Sequence, residues 1–371
     1  MTQPHEPAFS LPDARKLVAD LFVPRPWIYW TDFLLSWTIG ILCFRLTREA
    51  PLLSLQQIAL FLIAGLAYYR ITIFTHELVH LRDKEFRGFR MTWNLLCGIP
   101  FLMPSFTYYT HLDHHRRKFF GTDKDGEYLP LGTRPPREIV LYMLQPFLIP
   151  VLAIVRFGIL TPLTWISPRL RKLVHQRASS MVADPTYIRP MPTEKDLKII
   201  RLQEFAVFGF LMIVAVGLIR QRLPIFQDPL ALLVQVYLTS VFILILNELR
   251  TLGAHRYTNA GGELTFVEQL LDSVNYPRRP FLTELWAPVG LRFHALHHLF
   301  PSMPYHALPA AHRRLMRALP ADSPYRQTEC DSLASALAQL WRASAASTQP
   351  PPAEVLVESP PSGQAQSTEA A

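Results

Sequence analysis

The sequence predicts an all-α integral membrane protein, with about four transmembrane helices, further segments lying in the membrane, and a helical cap on the cytoplasmic side. Three observations predict it. Half of the 371 residues are hydrophobic and only 18% are charged. The apolar residues gather in blocks of about 20, the length that crosses a ~30 Å hydrocarbon layer at ~1.5 Å per residue. Lys and Arg (37 against 29 Asp and Glu) concentrate in the polar stretches between those blocks, the bias of loops that stay in the cytoplasm. The same composition excludes a disordered chain, a collagen-like fibre and a disulfide scaffold. Cys43, Cys97 and Cys330 match no zinc or redox spacing. The net charge of +8 is therefore read as loop bias facing a membrane, not as nucleic-acid affinity.

Residues 1–25 form a cytoplasmic N-terminal segment without the basic start, apolar run and small-residue site of a secretory signal. Residues 26–342 form the membrane domain. Its first span is Pro26 to Phe44, with Trp27, Tyr29 and Trp30 as interfacial anchors. Its second is Leu52 to Phe74, where Arg70 near the end can snorkel to the interface. Ten Lys/Arg follow between Arg82 and Arg137. That stretch is interrupted by Leu95 to Met103, too short to span, which is read as a helix in the interface.

The third apolar block, Glu138 to Ile166, carries Arg156 and three prolines, Pro146, Pro150 and Pro162. Eight Lys/Arg lie between Arg169 and Arg201. The last spans are Ile199 to Ile219 and Pro229 to Leu246. If both basic stretches are cytoplasmic, the third block crosses twice or not at all. Two crossings need about 40 residues, so it is expected to be a kinked, membrane-lying segment. Four spans then leave both termini cytoplasmic, and a bacterial inner membrane is expected. Residues 343–371 have five prolines and no aromatic, Lys or Arg, the composition of a disordered tail.

Nine of the 13 histidines fall into four groups beside the predicted cytoplasmic ends of spans or in the basic loops. They are His76 and His80 in HELVH; His111, His114 and His115 in HLDHH; His255 in AHRY; and His294, His297 and His298 in HALHH. On a helix, i, i+3 and i+4 share a face, so each box aims its imidazoles at one point. Nine imidazoles exceed what one zinc accepts and suit two metal ions with about four or five protein ligands each. Imidazole serves iron, copper, zinc and nickel alike, so ligand type does not select the metal. An isolated i, i+4 pair is common on helices; two HxxHH boxes with an HxxxH on one side of a membrane point to a shared di-metal site in the cap. His5, His175, His306 and His312 belong to no box and are read as surface or structural.

HELVH also fits the zinc-protease pattern H-E-x-x-H, with Glu77 as base. That reading leaves seven clustered histidines without a role. A metal sensor or transporter is disfavoured because transporter sites lie near the bilayer midplane.

With HELVH, HLDHH, AHRY and HALHHLFP in this order, the chain resembles the membrane fatty acid desaturase superfamily, the integral-membrane di-iron desaturases and hydroxylases, over roughly Trp30 to Arg317. LCGIPFLMPSFTYYTHLDHH, GTDKDGEYLP and LQPF look more like its acyl-lipid and sphingolipid branch than a carotenoid hydroxylase. The resemblance implies two Fe ions bound by the nine histidines and O2 as co-substrate. The substrate it implies is a fatty acyl lipid or free fatty acid. The leading expectation is desaturation, with hydroxylation or decarboxylation to a terminal alkene as alternatives.

Acyl-CoA desaturases of this fold carry an Asn four residues before the isolated His. Here that position is Thr251, and Asn247 is the nearest Asn. Glu77, Asp113, Asp123, Asp125 and Asn247 are candidates to orient the ligating rings; the carboxylates could equally be solvated loop charges. The chain shows no cytochrome b5-like domain or ferredoxin cysteine pattern, so an external donor protein of ferredoxin, rubredoxin or cytochrome b5 type is implied. The basic cap would attract an acidic donor; positive-inside bias and anionic headgroups account for the same charges.

Overall fold

A computed structural model describes residues 10–81 and 86–348. Among these residues the regular structure is helical, apart from isolated bridges that pair His255 with Ser273 and Asn275 with Phe293 and Glu329. Five helices are long and apolar enough to cross a membrane: Pro26–Glu49, Leu55–His80, Ile149–Ile166, Glu194–Arg220 and Pro229–Leu252. Their starts follow capping rules. Ser54, Thr193 and Asp228 each accept from a backbone N–H three residues on, and Pro229 occupies the first position of its helix.

Small residues let the long helices approach. A Cβ on Gly40 would lie 2.6 Å from the Tyr68 ring, and one on Gly65 would lie 2.4 Å from Phe242. Two long helices run past their expected apolar ends. The second continues to His80, so the first histidine box stands on its final turn, and the last continues to Leu252, three residues before His255.

Several expectations are corrected. The third block does contain one helix of spanning length, Ile149–Ile166, interrupted by a π-turn at Val155–Leu160. Its flanks nevertheless return to one place. Ahead of it, Gly132 N donates to Tyr257 O and Ser344 Oγ donates to Arg134 O. After it, Met181 N donates to Thr107 O and Ala183 N to Gly126 O. Arg70 does not snorkel: it forms a two-pronged pair with Asp32 at 2.6 Å and reaches Glu284 at 3.2 Å. A paired guanidinium is less costly inside than a free one.

The interfacial helix begins earlier than expected, at Arg87–Trp93, and runs into a π-turn at Asn94–Gly98. It buries Phe89 and Trp93 while Met91 and Leu95 are exposed. The expected tail boundary also moves. Leu333–Ala346 is a helix, with Leu340 and Ser344 buried, so 343–346 belong to the cap; the remainder of the tail from 349 lies outside the described residues, as does His5. On the N-terminal side, Leu11–Leu17 is a helix whose Ala14 packs with Leu299, Ala311 and Leu315. The N-terminal segment is thus built into the cap that carries the third histidine box.

Candidate metal centre

The nine box histidines converge from four elements. His76 and His80 stand one turn apart at the end of the Leu55–His80 helix; His111 and His114 are on a short helix that His115 caps; His255 follows the last long helix; and His294, His297 and His298 are on the helix His294–Leu299. They form two groups. His76, His80, His111, His115 and His297 make one; His114, His255, His294 and His298 make the other. Within each group the nitrogens lie within 4.8 Å of one another. The groups abut, with the His115 and His298 rings 4.3 Å apart. HLDHH therefore supplies both groups, and so does HALHH.

Hydrogen bonds fix the outer edges of three rings. His111 Nδ1 lies 2.8 Å from Glu127, His114 Nδ1 2.8 Å from Asp125, and His255 Nδ1 3.3 Å from Ser273 Oγ. The Asp272 carboxylate stands 3.2 Å from the same His255 nitrogen without a hydrogen bond between them. With Nδ1 facing an acceptor, Nε2 is turned inward as a ligand.

The inward nitrogens are too crowded for protons alone. His255 Nε2 is 3.2 Å from His114 Nε2 and 2.9 Å from His294 Nε2, which is itself 3.0 Å from His298 Nε2. In the other group His115 Nε2 is 2.9 Å from His111 Nε2 and 3.1 Å from His297 Nε2. A ring nitrogen has one in-plane position, a hydrogen or a lone pair, so none of these can serve two neighbours. His76 Nε2 and His80 Nε2 are buried without any hydrogen-bond partner. A cation at the middle of each group satisfies all of these atoms at once, so the residues fit two metal ions.

A sequence model described as fatty acid desaturase matches residues 53–329. The chain belongs to the fatty acid desaturase family. It is 38% identical over 338 residues to a protein named ceramide hydroxylase from Caulobacter vibrioides (strain NA1000 / CB15N), covering 89% of this chain and 92% of that one. No solved structure matches. The chain is accordingly a membrane oxidoreductase of the desaturase and hydroxylase type.

The electrostatics of this family member suit ligation. Burial, then the neighbouring imidazoles, pushes His115, His294 and His298 well below the usual histidine range; burial does the same to His297. Neutral imidazole is the form that binds a metal. Burial also depresses His114, but Asp125 outweighs it and carries this ring above its usual value. Asp125 and Glu127 are raised by burial and lowered further by His114 and His111, ending below the ordinary carboxylate range.

Of the candidates to orient the rings, only Asp125 reaches one. Glu77 accepts from Tyr29 Oη at 2.5 Å and from Tyr305 N at 3.1 Å, joining two long helices to the cap. Asp113 pairs with the exposed Arg116, just beyond its short helix. Asp123 is exposed. Asn247 accepts from Arg250 one turn along its own helix. Glu127 and Asp272 were not expected. Glu127 lies in the turn that follows Asp125, whose side chain accepts from Glu127 N, and no spacing marks it. Asp272 lies 17 residues beyond His255 with no periodicity to mark it.

Proposed function

We propose that the chain is an O2-dependent di-iron hydroxylase of a ceramide-type lipid, using all nine box histidines as ligands. The convergence of nine imidazoles into a five and a four is the observation that carries the metal centre. The near-full-length likeness to a ceramide hydroxylase favours hydroxylation of a sphingolipid over desaturation of a simple fatty acid.

His76, His80, His111, His115 and His297 would hold one iron, and His114, His255, His294 and His298 the other. The irons supply the redox chemistry that activates dioxygen against an unactivated C–H bond. The protein's share is positional. Glu127 and Asp125 hold the Nδ1 protons of His111 and His114, and Ser273 Oγ, beside the Asp272 carboxylate, holds that of His255, which keeps each Nε2 lone pair aimed inward. Tyr108 stacks on His111 at 4.8 Å, and Phe120 packs on His114, His255 and His298 at 5.1–5.5 Å. These rings close the centre against water, which protects a reactive oxidant from side reactions.

Electrons come from an external protein. The cap faces the cytoplasm, the termini lie on that side, and Glu138 to Ile166 leaves the cap and returns to it. Cysteine labelling supports this orientation if positions 87, 171 and 317 react from one side and 221 from the other; opposite sides for 87 and 171 would make Ile149–Ile166 a crossing.

The decisive experiment is expression in a host with a simple sphingolipid profile, followed by mass spectrometry. A ceramide about 16 mass units heavier supports hydroxylation. A product about two units lighter means desaturation, the leading expectation from the sequence. Loss of the carboxyl carbon from a free fatty acid means decarboxylation.

A further inference from the structure

Insertion of oxygen into a C–H bond consumes O2, two electrons and two protons and yields the alcohol and water. Desaturation consumes the same two electrons and yields two waters. Either reaction needs a place where an electron donor can approach the irons, and transfer weakens steeply with distance. Resting on the oxidative reading above, we infer that an acidic redox protein docks on the loop Arg116–Lys124 and delivers electrons to the four-histidine group.

Two independent features mark this loop. The first is its charge. Arg116, Arg117, Lys118 and Lys124 are exposed, and the cations of Arg116, Lys118 and Lys124 lie 5.9, 4.7 and 5.7 Å from the centre of the half-buried Phe119 ring. Arg116 shares its charge with Asp113, and Asp123 is the other acid in the loop. Arg117, Lys118 and Lys124 form no ion pair among the described residues. The second feature is depth. Phe120, next along the chain, is buried and touches His114, His255 and His298, three of the four rings of one group. Consecutive residues thus face the basic surface, at Phe119, and the ligands, at Phe120.

The surface continues beside the loop. Gln269 Nε2 donates to Arg117 O and Asn259 Nδ2 to Gly121 O, tying the loop to the walls of a crevice of about 540 Å³. Arg256 and Glu268 line the crevice, and Asp272, which stands beside His255, lies in it. Both routes inward end on the same group. A lipid surface fits this loop less well, because its exposed side chains are cations without the exposed apolar residues that enter a bilayer.

The test uses the full-length, iron-loaded protein in detergent and an acidic [2Fe–2S] ferredoxin as probe. K118E/K124E should weaken ferredoxin affinity at least about tenfold at low ionic strength, with the difference shrinking at high salt. R169E/K172E, a charge reversal elsewhere on the basic surface, should leave it unchanged. F120L should keep the affinity and slow anaerobic reduction of the irons by ferredoxin more than reduction by dithionite with methyl viologen; equal slowing of both would remove Phe120 from the route. The inference is overturned if K118E/K124E binds ferredoxin normally, if wild type does not bind it, or if the double variant loses only binding to anionic phosphatidylglycerol vesicles. Failure of the oxidative reading looks different: fully reduced wild-type protein with O2 and ceramide would then give no oxidised lipid, whatever the ferredoxin data show.

Discussion

The group of five and the group of four use the same side chain and position it by different means. In the group of five, His76 and His80 stand on one face of a long helix, and His111 and His115 lie one turn apart. Among the described residues the carboxylate against these rings is Glu127. In the group of four, His255 sits beyond the end of its helix and its backbone bridges Ser273. Three side chains stand behind that group's rings: Asp125, Asp272 and Ser273. Helix spacing relates His76 to His80 and His294 to His298, one pair in each group; His255 has no such relation and is placed by contacts with the cap. A ring fixed by a long helix survives local damage to the cap, and a ring placed by such contacts does not.

The largest expected effect follows from removing the ligand that depends most on those contacts. His255→Ala should lower product more than about 100-fold, beyond the 10- to 100-fold typical of outer-sphere changes, and reduce iron from about two to about one per chain. The protein should still insert and remain folded in detergent. Elemental analysis and product mass spectrometry check both. Loss of both irons together would show that the groups do not bind independently. Normal iron and turnover would remove His255 from the site and leave eight histidines in three boxes. A single tightly bound zinc in wild type, with activity insensitive to iron removal, would end the di-iron reading altogether.

A smaller effect tests the carboxylates. Asp272→Asn and Asp125→Asn should each weaken metal affinity in the group of four by about 10- to 100-fold. Glu127→Gln should act on the group of five, and less severely, because His76 and His80 remain fixed by their helix. Competition with a chelator, followed as iron per chain, reads the difference. Equal losses at all three positions would contradict the distinction between helix-held and loop-held rings.

This distinction also governs what the sequence made legible. Box spacing is a local, periodic signal, so eight of the nine convergent histidines could be picked out by it; His255, a lone histidine in AHRY, joined them through its place after the last span and the family resemblance. The first, second, fourth and fifth long helices were equally plain from their apolar blocks. Glu127 and Asp272 were hidden because their partners are set by how loops close over the site, and no spacing rule records that. Ile149–Ile166 was hard for another reason: its prolines sit at the first turns of its helical pieces, where they are tolerated, so they did not mark breaks as severe as their number suggests. Residues 343–346 looked like tail from composition, yet Ser344 Oγ donates to Arg134 O and holds the last turn of a helix in place.

The smallest effect on the metals is expected at His175, a buried imidazole belonging to neither group. Of the two readings the sequence left, surface or structural, it takes the second: it lies within the helix Pro168–Arg177, is 2% exposed, and its Nδ1 has no hydrogen-bond partner. It sits in the electrostatic neighbourhood of Glu204, Arg156, Arg189 and Arg171, around the buried Arg156–Glu204 pair. Nothing connects it to the nine ligands, so His175→Ala should keep two irons and wild-type turnover per folded chain. Stability is different. Removing a buried ring leaves a cavity, at about 0.5–3 kcal/mol for a typical destabilising substitution, and the thermal midpoint should fall. The pH dependence follows from its titration. Burial holds His175 below its usual value of 6.5, so between the folded and unfolded values the unfolded chain binds more protons, and wild type loses stability as pH drops below about 6.5. Alanine has no such loss. The gap in midpoint between wild type and His175→Ala should therefore be largest above pH 6.5 and narrow below it, with iron content unchanged at neutral pH. Iron loss there at neutral pH would make burial, not convergence, the property that matters, and the two-group description would lose its basis.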